Sequence, residues 1–399
     1  MTQKLYYSSA YIREWSTEIT NTVEREDGIY IALEESAFYP EGGGQPSDYG
    51  WIGNAKVLGV QSEKGQLLHQ VDQLPAGGDV NCRLDWHRRF DHMQHHSAQH
   101  LLSAVCLQEL SASTLSFHLG QDYCTIDIER SQLSQQELRD LELAVQQEIY
   151  ENHSIKSYWV SLEQAEALPV VKPPAVTGDI RIVEIEGIEY NPCGGTHVSA
   201  TGEIGMIKLL KCEKQKGHTR IYFKSGYRAL QEFNQSADIL AKLSVRFHAP
   251  KEEMMNRVAK WEQEQRQLLV QVQALKAEND AYLGERLLAQ RDGGVVHSSF
   301  ADRSLKDLQS LALRMIQQED VVIVLKSDPD LKVLIAHRGD QHPGCGAYVK
   351  QQLHSGAKGG GSDSMAQASF TTAEDANVFY KAAVKAFASL TRQDAAEQA

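Results

Sequence analysis

Two short segments carry residue types that can do chemistry at spacings that bring them together. In His96-Ser97-Ala98-Gln99-His100 two histidines lie four residues apart. On a helix four residues advance about 400°, so the two imidazoles point the same way to within about 40°. In Cys193-Gly194-Gly195-Thr196-His197 a thiol and an imidazole are again four apart, across a Gly-Gly pair that permits a tight backbone. Together His96, His100, Cys193 and His197 make a complete nitrogen and sulfur set for tetrahedral Zn2+. Each pair taken singly also has a plain reading, as buried helix histidines or an inert cysteine. His92 shares the helical face of His96 and His100, and spacing alone does not choose between the two histidine pairs. The residue after His96 is Ser97, so the general-base Glu of an HExxH metallopeptidase is missing and peptidase chemistry is disfavoured.

The elements that must hold these residues can be read in outline. Residues 1–88 give short strands between Gly-rich turns, the pattern of a small β-barrel or sandwich. A helix is expected over 88–110, carrying the histidines, and a strand over 123–128. Ser134-Gln135-Gln136-Glu137 has the form of a capping box, opening a helix through Leu138, Leu141, Val145 and Ile149. A strand over 180–185 leads toward the cysteine. From 229 to 292 strand signals disappear, and apolar residues from Met254 to Tyr282 recur at alternating steps of four and three. That seam fits either a helical hairpin or an intermolecular coiled coil. After Gly293-Gly294 a small α/β domain is expected. The fold class is therefore α+β, with an N-terminal small β-barrel (1–88), a zinc-containing α+β domain (89–228), a helical connector (229–292) and a C-terminal α/β domain (293–399).

Composition narrows the function classes. The chain has 399 residues, 42% hydrophobic and 23% charged, which is ordinary for a globular protein. No apolar run is long enough to span a bilayer and the N-terminus has no signal-like apolar stretch, so no membrane partner is expected. Six scattered cysteines do not form a disulfide framework, and a cytoplasmic location follows. Net charge is −13, which argues against nucleic acid for the chain as a whole. Locally the balance reverses: residues 208–228 hold seven Lys/Arg, among them Lys208, Lys211 and Arg220, against the single acid Glu213. Such a strip is either a solvated face or a phosphate track.

Four motifs in fixed order carry a resemblance. HSAQHLL (96–102), PCGGTHV (192–198), TGEIG (201–205) and FYPEGGGQPSDYG (38–50) are similar to the alanyl-tRNA editing family. That family comprises the editing domain of alanyl-tRNA synthetase and the free-standing AlaX proteins. The tail GAKGGGSDSMAQAS (356–369) resembles the DHHA1 domain that follows the editing domain in that synthetase, so the likeness to a long-form AlaX runs almost end to end. The resemblance implies a zinc-dependent hydrolase that cleaves the ester joining a wrong amino acid, serine or glycine, to tRNA(Ala). It places the metal on His96, His100, Cys193 and His197, leaving His92 out. It implies a pocket lined by the segment after the metal helix, residues 114–118, with Ser116 and His118 as candidate catalytic residues. Gln45, in the turn Gly42-Gly43-Gly44-Gln45, becomes a candidate for hydrogen bonding in that pocket, although the turn is equally readable as a plain hairpin. Lys358, Gly359, Gly360 and Gly361 are readable as a linker turn or as a backbone nest for RNA phosphate. The editing-like region begins near residue 1, so neither an aminoacylation domain nor ATP use is expected. A non-catalytic zinc-containing RNA-binding protein is the alternative, and a homodimer through the connector or the C-terminal domain is the expected assembly.

Overall fold

The computed structural model describes residues 1–170, 178–339, 343–353 and 356–397. Its contacts fall into two compact units, Met1–Arg246 and Phe247–Ala399. The first unit opens with six antiparallel strands: β1 (Glu14–Arg25), β2 (Gly28–Leu33), β3 (Gly50–Ile52), β4 (Ala55–Glu63), β5 (Gln66–Val71) and β6 (Asp79–Leu84). Their pairing closes in the ring β1-β2-β5-β4-β3-β6. Strict alternation of exposed and buried positions along β6 is what a strand with one face on a core requires. Ile31, Leu33, Phe38, Ile52, Val57 and Leu67 fill the interior.

Helix α1 (Trp86–Leu110) follows at once, capped by the Asp85 carboxylate, which accepts from the Arg88 N–H. It differs from an amphipathic surface helix, because every residue from Asp91 to Ser103 is buried. Its polar side chains therefore need internal partners. The Arg89 guanidinium is fully buried against Asp48 and also donates to the carbonyls of Ala10 and Ala37. That ion pair ties the barrel to the helix.

The rest of this unit wraps α1. β7 (Thr114–Leu119) and β8 (Cys124–Ile128) join β12 (Ile207–Lys214) and β13 (Thr219–Ser225) in the antiparallel order β12-β13-β8-β7, while β9 (Ile155–Val160), β10 (Ile180–Ile185) and β11 (Glu189–Pro192) form a three-stranded sheet. Helix α2 (Gln135–Glu151) starts at the Ser134 capping box and shares a core with Leu101, Leu102, Ile126, Ile221 and Phe223. Helix α3 (Gly226–Phe247) ends this part of the chain.

In the second unit, α4 (Met254–Ala289) is a 36-residue helix. Its C-terminal Leu283, Leu287 and Leu288 pack with Leu308, Leu311 and Met315 of α5 (Leu305–Gln318). Further toward its N-terminus, Leu268, Val272 and Leu275 of the apolar seam are exposed. The sheet contains β14 (Val295–Phe300), β15 (Val322–Ser327), β16 (Lys332–Ala336), β17 (Lys358–Gly361) and β18 (Met365–Ser369), in the order β14-β15-β16-β18-β17. Helices α6 (Cys345–Gln352) and α7 (Ala373–Glu397) complete the unit. Lys358-Gly359-Gly360-Gly361 is thus an edge strand, where a turn was expected. A side chain at Gly359 or Gly361 would overlap β18, so close packing accounts for both glycines. Among the described residues no helix is long and apolar enough to cross a membrane.

Candidate metal centre and the cavity beside it

Helix α1 delivers His96 and His100 to one point, and the turn after β11 delivers Cys193 and His197 to the same point. The four ligand atoms lie within 4.8 Å of one another. Cys193 Sγ is 3.5 Å from His96 Nε2 and 3.3 Å from His197 Nε2. The turn is pinned by buried Arg181, which donates to the carbonyls of Cys193 and Gly195. Gly195 is sterically required, because a methyl there would overlap the His96 ring. The Gly195 N–H points at the sulfur, 3.3 Å away.

Each imidazole is held from behind through Nδ1. Gln45 Oε1 lies 2.9 Å from His96 Nδ1 and also accepts the Thr196 N–H, so it is the oxygen and His96 Nδ1 must donate. The Glu189 carboxylate accepts from His100 Nδ1 at 2.7 Å. Ser97 Oγ lies 3.2 Å from His197 Nδ1. Partners of this kind fix ring orientation and leave Nε2 aimed at the shared point. Burial raises the Cys193 thiol pKa, but the neighbouring imidazoles outweigh it and hold the group well below the usual thiol range. The sulfur is therefore in the thiolate form that metals bind. Burial lowers His100, yet Glu189 and Cys193 lift it to about 10, whereas burial and then His96 push His197 down to about 3. The arrangement can hold a metal ion on three nitrogens and one sulfur.

A cavity of about 210 Å³ lies against this cluster, lined in part by Gln99, Ser103, Thr114, Ser116, Phe117 and Glu189. The Phe117 ring stacks on His96, with centroids 5.4 Å apart. Gln99 and Thr114 both donate to Ser103 Oγ. Glu189 lines the cavity and accepts from the ligand His100.

The remaining residues singled out in the sequence divide. Gln45 does not face the cavity. It is buried, with its oxygen on His96 and Thr196 and its amide donating to Thr196 Oγ1, so it positions a ligand. Ser116 lines the cavity, although its hydroxyl donates to Asp127. His118 is exposed on β7 and does not line the cavity. His92 is buried but stands outside the four-ligand group. The basic strip is not an unpaired track: Lys208 meets Glu142, Lys211 meets Glu213, and Arg220 meets Asp127. Counting acids within the strip missed Glu142 and Asp127, which strand pairing and helix packing bring in from elsewhere. Sequence reasoning also missed Ser97 and Glu189. Ser97 lay inside the histidine motif, whereas Glu189 carried no signal beyond its strand.

The comparisons with known proteins agree with this geometry. The family described as "Threonyl and Alanyl tRNA synthetase second additional domain" matches residues 180–222, the stretch that contains Cys193 and His197. The alanyl-tRNA editing protein AlaX-L of Pyrococcus horikoshii is 30% identical over 397 residues, covering 92% of this chain and 94% of that protein. The alanyl-tRNA editing protein Aarsd1 of Danio rerio is 34% identical over 252 residues, and the alanine–tRNA ligase of Pyrococcus abyssi is 29% identical over 345. The chain spans 61% of the length of the Danio protein and 37% of the ligase. With 30% identity over nearly the whole of AlaX-L, this chain belongs to the AlaX family of alanyl-tRNA editing proteins.

Proposed function

We propose that this protein is a trans-acting deacylase that hydrolyses mischarged tRNA(Ala), Ser-tRNA(Ala) first and Gly-tRNA(Ala) second, without aminoacylating tRNA itself. The observation that carries this reading is that Glu189, which accepts from the ligand His100, and Phe117, which stacks on the ligand His96, both line a cavity of about 210 Å³. The donor set suits zinc. Zn–S near 2.3 Å and Zn–N near 2.0–2.1 Å imply tetrahedral N···S edges of about 3.6 Å, close to the 3.5 and 3.3 Å found. Zinc held by His96, His100, Cys193 and His197 would supply a Lewis acid behind Phe117 and Glu189 of the cavity lining, able to polarise an ester carbonyl or acidify water.

The protein's own groups account for the rest. Phe117 screens His96 from bulk water. Gln99, Ser103 and Thr114, which hydrogen-bond one another, can also bond a serine hydroxyl, a contact that alanine's methyl group cannot make. One hydrogen bond made by serine alone is worth about 0.5–1.5 kcal/mol, and two give about tenfold to hundredfold discrimination. Lys208 and Lys211 are half-exposed, so each can exchange its carboxylate partner for an RNA phosphate. Lys358 and the glycines after it are retained as a second RNA contact, and the exposed seam of α4 as the surface where two copies pair. None of the six cysteines is in a disulfide, in keeping with a cytoplasmic location.

Four protein ligands make a closed centre, and this favours the second reading, a non-catalytic RNA-binding protein with structural zinc. Purified metal-loaded protein incubated with Ser-, Gly- and Ala-tRNA(Ala) decides between them. Hydrolysis of the seryl ester at least about tenfold faster than the alanyl ester is expected. Equal rates contradict editing, and absence of hydrolysis selects the structural-zinc reading.

A further inference from the structure

A second cavity, of about 470 Å³, opens in the first unit where the first turns of α1 meet the loop after β7 and the start of α3. It shares no lining residue with the cavity beside the metal ligands. His92 lines it. This imidazole is only 2% exposed, yet its Nδ1 has no hydrogen-bond partner among the described residues. A buried polar nitrogen left unmatched is destabilising, and a hydrogen-bonding ligand in the cavity would offset that cost.

The wall chemistry says what kind of ligand. Arg228 pairs with Asp91 and Lys224 with Glu232, while Arg88 and Asp122 add one charge of each sign, so the lining carries no net charge and is not an anion well. Gln121, Gln231 and Gln235 add primary amides, each carrying both a donor and an acceptor. His87 and Tyr227 present near-parallel rings, 28° apart in plane and 6.0 Å between centroids, with Tyr227 58% exposed. A flat, uncharged group edged with donors and acceptors fits this wall, and that describes a nucleobase.

Position adds the second argument. His92 and Gln99 are seven residues apart on one helix, so they share a face and lie about 10 Å apart along the axis. Strand β7 runs from the metal-side cavity to the loop that carries Gln121. An RNA strand whose terminal ester sits at the metal-side cavity reaches the second cavity within a few nucleotides. We propose that this cavity receives an unpaired base of the substrate RNA's 3′ end, upstream of the nucleotide that bears the ester. The placement rests on the deacylase reading above.

The test uses the full-length zinc-loaded protein and two uncharged RNA hairpins, one ending in single-stranded ACCA and one blunt. The parent should bind the tailed hairpin more tightly than the blunt one. Tyr227→Ala and Gln235→Ala, both at exposed positions, should each weaken binding of the tailed hairpin by about fivefold to tenfold, as loss of a base contact does, and leave binding of the blunt one unchanged. Their KM for Ser-tRNA(Ala) should rise by a similar factor, with kcat unchanged and hydrolysis of seryl-adenosine, which has no upstream base, also unchanged. His92→Phe keeps the ring and removes the unmatched nitrogen, so thermal stability should hold or rise while tailed-hairpin affinity falls. The proposal is overturned if the variants bind the tailed hairpin like the parent, lose both hairpins equally, or lose seryl-adenosine hydrolysis in step. A parent that hydrolyses neither ester but keeps the tail-dependent contrast overturns the deacylase reading and upholds this base site.

Discussion

The middle of α1 and its first turns bury histidines in opposite ways. His96 and His100 each place Nδ1 on a partner from another part of the chain and keep Nε2 toward the cluster. His95, on the same helix, has both nitrogens engaged, Nδ1 on the Asp91 carbonyl and Nε2 accepting the Ser225 N–H. His92 has an Nδ1 with no hydrogen-bond partner among the described residues. One helix therefore carries a ligand type, a structural type and an open type of imidazole, and the second ring nitrogen distinguishes them. Burial does not, since all four are buried.

The largest expected effect separates the ligand type from the open type. Metal analysis of the parent should find about one zinc per chain; Cys193→Ala and His96→Ala should abolish it, whereas His92→Ala should leave zinc content unchanged. Zinc retained by Cys193→Ala breaks the four-ligand assignment.

A smaller effect concerns the structural type, for which the barrel offers a cleaner example than α1. His69 is fully buried, with Nδ1 on the Ile31 carbonyl and Nε2 on the Ser36 hydroxyl, and burial pushes its pKa down to about 4. Its unfolded value is near 6.5, so the unfolded chain takes up the proton first. The stability tied to neutral His69 is therefore complete above about pH 6.5 and is lost as pH falls toward 4, by up to about 3 kcal/mol. Urea unfolding of His69→Asn and of the parent across that range should differ in slope by one bound proton; identical slopes remove His69 from the account.

Glu189→Gln comes next. The amide cannot accept from His100 with a carboxylate's strength, and zinc affinity measured by chelator competition should fall about 10-fold to 100-fold. Gln45→Ala should act in the same direction through His96. Affinities matching the parent would show that the partners behind the rings do not tune the centre. The smallest effect belongs to the surface strip: Lys208→Ala should change stability by no more than about 0.5 kcal/mol, because exposed ion pairs contribute little. A larger shift in thermal unfolding would make the Glu142 pair a structural strut.

How far the sequence was legible follows the same division. Residues close in sequence announced themselves, because spacing of four on a helix or across Gly-Gly is a geometric statement before any folding. The Ser134 capping box and the strand over 180–185 were legible on similar local grounds. Gln45 was visible as a residue, but its task was not: a glycine turn gives no hint that the next side chain will reach Thr196, 151 positions away. Glu189 and Asp127 were illegible because only tertiary placement gives them their partners: packing of β11 against α1 brings Glu189 to His100, and strand register sets Asp127 opposite Arg220. The seam of α4 from Met254 to Tyr282 was read by period, yet most of its apolar residues are exposed, and the core is met by Leu283, Leu287 and Leu288 beyond its end. Period identifies a face, and the tertiary partner decides whether that face is covered.

The contacts of Gln45 have a consequence for how the chain matures. They close loops of 51 residues to His96 and 151 to Thr196, so the centre draws on the barrel, the central helix and the hairpin turn together. A half-folded chain has the four ligands but neither their positions nor their supports. Metal binding then reports the completion of folding and, by mass action, pulls it forward in proportion to RT ln(1 + [M]/Kd). Scarcity of the ion would be felt first by newly synthesised chains, as a lengthened search for closure of these distant contacts. Chains already finished would keep their ion and their rate.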